Sequence, residues 1–219
     1  KNTVIRRFST SNFRIAEIAG GGRLSAEGIT FAGGSLTGDG GGLFVRSGGT
    51  LQLSNSRVSE NASTANGAGG IFNSTTGTVR LFNTIVVNNR AATFGGGVTN
   101  IGGLTVVGGI IGFNTSGLEG GGVFSNNGTV SLTSTGNGGG IWNTGPLQVF
   151  RTRISDNRTG VAAGLGGALF NGAPGVATVR ESTLTRNAAS DGGAVFEAGG
   201  SVTAVQSLIL NNHPDNCAP

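Results

Sequence analysis

The chain has 219 residues, with 44 Gly, only 4 Pro, 36% apolar and 11% charged residues. That length allows one large domain or two small ones; the low charge argues against disorder, and glycine without a three-residue period excludes collagen. The net charge of +4 comes from 14 basic residues, all Arg except Lys1, spread too thinly to form a nucleic-acid surface.

The chain opens at Lys1 beside a strand-like run, TVIRRF, and contains no Met, which reads as a mature form or a fragment whose export signal lay upstream. No apolar run reaches the roughly 18 residues of a membrane span, so no transmembrane segment is expected. Cys217 stands alone, so an intramolecular disulfide is excluded. Residues 1–39 read as degenerate opening coils, with FRIAEIAGGGRLSAEGITFAGG from Phe13 as their clearest unit.

From residue 40 one sentence is repeated. A glycine pair precedes an apolar position and its neighbour: Leu43-Phe44, Ile71-Phe72, Val98-Thr99, Val123-Phe124, Ile141-Trp142, Leu169-Phe170 and Val195-Phe196. The spacings are 28, 27, 25, 18, 28 and 26 residues. Short alternating runs follow (LQLS, VRLF, LTVV, VSLT, LQVF, ATVR, VTAV), and each copy closes on Asn61, Asn89, Asn114, Asn137, Asn157, Asn187 or Asn212. Seven copies thus fill residues 40–212, and residues 213–219 form a terminal tail.

Alternation at period two specifies strands with one buried side, and the Gly and β-branched content opposes helix. A unit this short cannot bury its own apolar face, so the copies must stack. The expected fold is a single-domain, all-β, right-handed parallel β-helix of about eight coils, on the order of 40 Å long at about 4.8 Å per coil. The glycine pairs are expected to supply positive φ and close backbone approach, and the closing Asn residues to take left-handed geometry and stack their amides. The column Phe44, Phe72, Phe124, Trp142, Phe170 and Phe196 is expected inside the rod, with Thr99 as a gap. The variable segments ASTANGA, RAATF, TSGLE, RTGVAAGL and AASD are expected as loops along one edge, with a notch near Gly136–Gly138 where the copy is shortest.

Polysaccharide cleavage needs converging carboxylates. Glu60 and Asp156 share a column but lie about four coil rises, roughly 19 Å, apart. Asp39, Glu119 and Asp191 share another, never on adjacent coils. No catalytic residue, metal site or cofactor is therefore assigned, and His213, Asp215 and Cys217 read as a closing coil rather than a ligand set. The polar feature that stands out is Arg151, Arg153, Arg158, Arg180 and Arg186, a group suited to carboxylate or sulfate. Phe82 and Phe150 fall in one column beside it.

The segments GGIFN (69–73), GGALFN (166–171) and GGAVFE (192–197) resemble the bacterial right-handed parallel β-helix repeats of polymorphic outer-membrane proteins and autotransporter passengers. In the polymorphic type Asn follows Phe by three residues; only Phe124–Asn127 does so here, while Asn73, Asn143 and Asn171 follow directly. The resemblance implies an extracellular or bacterial cell-surface location and a non-catalytic structural or adhesive role. Strand addition at open ends would give a homo-oligomer or filament. The alternative is an anionic-polysaccharide-binding module, or a polysaccharide lyase or hydrolase, on the arginine face.

Overall fold

The computed structural model describes residues 3–118, 120–133, 136–138, 140–157 and 165–218; among these the chain is all-β and has no helix, hence none long and apolar enough to cross a membrane. The paired strands run parallel and stack along one axis as a parallel β-helix. One sheet has nine strands, from Ala16–Ile18 through Leu43–Val45 and Ile71–Asn73 to Val195–Ala198 and Cys217–Ala218. Nine passes enclose eight turns. The sequence anchors Leu43, Ile71, Val98, Val123, Ile141, Leu169 and Val195 fall in direct register.

A broader, 15-stranded sheet forms two further sides of the coil. In most turns it is two strands, such as Thr50–Ser54 and Arg57–Ser59; in Thr78–Val87 and Gly103–Gly112 one strand runs through the corner. Its alternation builds the core. Leu51, Val79, Leu104, Val130, Leu147 and Ala177 stack in register, and all are buried. Each large apolar side chain so placed contributes about 1.5–3 kcal/mol relative to exposure.

Corners are where stacked strands fail to satisfy the backbone, and three polar ladders take over there. At the corner inside the broad sheet a left-handed residue (Asn55, Asn83, Arg151, Glu181 or Gln206) is followed by Ser56, Thr84, Thr152, Ser182 or Ser207. These hydroxyls donate back to the strand they leave, as Ser182 Oγ does to the Arg180 carbonyl at 2.6 Å. Ser56, Ser182 and Ser207 also accept from the preceding coil, as Ser182 does from the Thr152 N–H at 3.1 Å, while Thr84 Oγ1 donates to it at the Leu53 carbonyl.

The second corner holds the closing Asn ladder. Asn61 donates both its N–H (3.1 Å) and its Nδ2 (2.9 Å) to Asn89 Oδ1, and Asn89 does the same to Asn114 at 3.0 Å for each. The ladder resumes at Asn157, Asn187 and Asn212. Left-handed φ falls one residue earlier than expected, on Glu60, Asn88, Phe113, Asp156, Arg186 and Asn211. That residue turns the chain, and the turn swings the next side chain inward. The side chain of Asn137 lies outside the described residues.

The third ladder joins the Asn residues that directly follow the aromatics. Asn73 Nδ2 donates to Asn100 Oδ1 and Asn143 Nδ2 to Asn171 Oδ1, each at 2.8 Å. Val45 occupies the same column one coil before Asn73, offers no donor, and leaves Asn73 Oδ1 unpaired.

The glycine pairs are explained by space more than by φ. Positive φ sits just before the pair, at Gly40, Ala68, Gly95, Gly120, Gly166 and Gly192. Within the pair, a Cβ on Gly69 would lie 2.4 Å from the Arg90 carbonyl oxygen, and one on Gly70 2.4 Å from that of Gly97 and 3.1 Å from the Asn89 amide. The edge expected as loops is partly a four-stranded sheet of Ser35–Leu36, Ala62–Ser63, Arg90–Ala91 and Thr115–Ser116. The variable segments begin as strand because they follow directly on the in-register Asn ladder.

Three substitutions test these roles. Gly69→Ala should lower stability by about 3 kcal/mol, because rigid backbone surrounds the new methyl. Gly21→Ala, in open space at φ +73°, should cost only about 1 kcal/mol. Asn89→Ala should cost about 3 kcal/mol by stranding two buried donors on Asn61. Denaturant titration of the three variants checks all three values.

Candidate functional site

The aromatic column runs along the nine-stranded sheet: Glu17, Phe44, Phe72, Thr99, Phe124, Trp142, Phe170, Phe196 and Ala218 are in register. It faces outward, contrary to the sequence expectation. Leu43 and Val45 are fully buried, so the residue between them must point away from the core. The rings stack nearly parallel, with centroids 4.4 Å apart for Phe124–Trp142 and 5.5 Å for Trp142–Phe170. Phe94, from a variable segment, supplies the ring missing at Thr99 and stacks on Phe124 at 4.6 Å. The absent aromatic at Thr99 was the one sequence signal for it.

Stacking occupies the ring faces and leaves mainly edges to solvent, so the column is a clamp along the rod rather than a row of open sugar platforms. Its first ring, Phe44, is covered by Arg14 at 4.6 Å and Arg46 at 5.4 Å. Both guanidinium groups bond the Glu17 carboxylate, which completes the column one coil earlier. The hydrogen bond from Arg46, aided by the charge of both arginines, holds the Glu17 carboxyl below its ordinary range.

The predicted arginines divide into pairs. Arg151 Nε bonds Glu181 Oε2 at 2.8 Å across one coil and lies over the Phe150 ring at 4.7 Å. Arg186 grips Asp156 at 2.6 and 2.8 Å, which holds that carboxyl below its ordinary range. Arg153 and Arg180 are exposed and form no ion pair among the described residues; Arg153 adds its charge to the field on Asp156. Arg158 lies outside the described residues. Phe82 and Phe150 do share a column, through Val107 and Thr133, and are half-buried.

The acids are engaged singly. Glu60 pairs with Arg6 at 2.7 Å, and Asp39 Oδ1 accepts from the Gly67 N–H at 3.1 Å while burial pushes its carboxyl up. Asp191 and Asp215 accept from the N–H groups of Gly192 and Gly193. Glu119 lies outside the described residues. Among the described residues no group of three or more His, Cys, Asp or Glu is placed to hold a metal ion. His213 and Cys217 are separated onto two rungs, His213 beside Ala188 and Cys217 beside Val195. Burial, with Glu197 and Asp215 nearby, pushes the Cys217 thiol up, away from nucleophilic use.

The chain matches no protein-family model, no curated protein and no solved structure.

Glu17 and Asp156 weaken the fold on acidification, and Asp39, whose carboxyl burial pushes up, acts in the opposite sense. Each of the first two carboxyls is held below its ordinary value, so its contribution to stability is present above that value and fades as pH falls through the lower folded one. Thermal midpoints should therefore drop on acidification below the ordinary carboxylate range. The variant Glu17→Gln combined with Asp156→Asn should start lower at neutral pH and show a shallower acid decline.

Proposed function

We propose that this chain is a non-catalytic structural and adhesive rod of an extracellular or bacterial cell-surface protein, assembling with further copies. The observation that carries the reading is the chemistry of the interior. Among the described residues every buried polar side chain is an amide or a hydroxyl, and most bond along the axial ladders or to nearby backbone rather than gathering around a cleft. Among the described residues no buried ionisable group is paired with another, the arrangement that tunes acid–base catalysis.

Assembly would act through coil edges. Val202 and Ile209 are only partly buried, whereas Ala177 and Leu184, in the same columns one coil earlier, are enclosed. Their strands, Ser201–Val205 and Leu208–Leu210, carry one neighbour each. A further coil, of this polypeptide or of a second copy, would cover these side chains and pair these edges. Electron microscopy and light scattering of the 219-residue chain test this. Filaments or a concentration-dependent oligomer are expected; a monomer that persists at high concentration overturns the assembly reading.

A second reading, binding of an anionic polysaccharide, rests on the exposed Arg153 and Arg180 beside the Arg151–Phe150 stack. Replacing Arg151, Arg153 and Arg180 together with Gln should abolish retention on immobilised heparin, and unchanged retention removes this reading.

A further inference from the structure

The middle of the rod has an outward face that none of the ladders requires. One column on it reads Arg57, Ile85, Ile110, Gly136, Arg153 along the axis. Two arginines thus bracket an apolar centre, about 19 Å apart over four rungs. Neither forms an ion pair among the described residues. Across the corner, Phe82 and Val107 pair on the same two coils as Ile85 and Ile110. Ile110 is 40% exposed, and its neighbour on the next coil, Gly136, has no side chain to shield it.

Phe113 stands at the rim, 78% exposed, with φ +54°. The other left-handed residues of its column, Glu60, Asn88, Asp156, Arg186 and Asn211, are all polar. A bulky aromatic in this conformation is an outlier, and its exposure adds nothing to the core. The fold would be better served by Asn. Leu118, further along the same coil, is also exposed, and Arg90 lies on the coil before, in register with Thr115. The acids nearest the two bracketing arginines, Glu60 and Asp156, share Phe113's column and are paired with Arg6 and Arg186, while Arg57, Arg90 and Arg153 form no ion pair among the described residues.

We propose that this face docks an acidic polypeptide, which seats an apolar side chain over Ile110 and Gly136 against Phe113 and sets carboxylates on Arg57 and Arg153. The inference rests on the adhesive reading above and assigns its partner class. A second copy meeting the same face would oppose arginine to arginine. A glycan would find Ile, Val and Leu where its hydroxyls need acceptors. A bilayer would need a broad apolar face, whereas this centre is bracketed along the axis by Arg57 and Arg153. Exposed Phe and Ile with unpaired Arg to either side along the axis is the composition of a protein-binding centre.

The test measures binding of the full chain to four probes at low salt: a random Glu/Tyr copolypeptide, poly-Glu, heparin and phosphatidylglycerol vesicles. The copolypeptide should bind at least about tenfold more tightly than poly-Glu. Phe113→Asn should lose that advantage while the thermal midpoint holds or rises, since Asn suits left-handed φ. Ile110→Thr should lose it as well. Arg57→Gln with Arg153→Gln should weaken binding and flatten its salt dependence. Equal affinity for copolypeptide and poly-Glu, or intact binding by Phe113→Asn, overturns the proposal. Preference for heparin or for vesicles also overturns it but leaves an adhesive rod with another partner. Binding to none of the four overturns both this proposal and adhesion to anionic partners.

Discussion

Everything in this rod depends on satisfying backbone groups at corners that water does not reach. Strands satisfy their own N–H and C=O groups by stacking, but a coil of under thirty residues must bend several times, and each bend interrupts the pairing. The solution is to let side chains stack as the strands do. Asn carries a donor and an acceptor on one short plane, so a single residue can bond its own coil and the next simultaneously. The Ser and Thr hydroxyls do the same at the corner inside the broad sheet. The glycine pairs follow from this choice. With the Asn89 amide seated beside Gly70, and the Arg90 and Gly97 carbonyls closing in, no space remains for a Cβ. Glycine abundance, which looks like a mark of disorder in the composition, is the cost of a tightly stacked polar interior.

The exterior is organised by the same translation. Any residue type that recurs in the repeat becomes a column, and columns of like residues interact in series. Aromatics become a stacked clamp, closed at Phe44 by two arginines and a glutamate. Ion pairs form across single coils, as Arg151–Glu181 and Arg186–Asp156 do, because i and its counterpart one repeat later are spatial neighbours. These exposed pairs contribute little individually. Departures from the columns are therefore more informative than the columns. Thr99 breaks the aromatic series and is compensated by Phe94, a local repair. Phe113 breaks a polar series and is compensated by nothing, which separates it from the structural residues around it.

The fold was legible because the repeat spacing alone dictates stacking, and the anchor residues fell in register as read. The Asn ladder at Asn61, Asn89 and Asn114 was legible too, since a polar residue recurring beside apolar ones has only its own copies to bond. The direction of the aromatic column was misread because in a three-residue strand the alternation can be started on either residue; the full burial of Leu43 and Val45 decides it. Left-handed geometry was placed one residue late for a related reason: sequence marks the conspicuous Asn, while the turn is made by a predecessor that varies from Glu to Phe. The arginine group was seen as a cluster in sequence, but the ion partners Glu181 and Asp156 lie in neighbouring copies. Arg57 escaped notice because its relation to Arg153 exists only through four rungs of register.

The ladders have a direction. In each Asn pair the earlier coil donates and the later coil accepts, from Asn61 to Asn89, from Asn73 to Asn100 and from Asn157 to Asn187. The amide dipoles therefore add along the axis, with oxygen ends toward the first coil and N–H ends toward the last, in the manner of a helix macrodipole. A substitution within a ladder is therefore felt in opposite senses on its two sides, as a lost acceptor by the coil before and as a lost donor by the coil after.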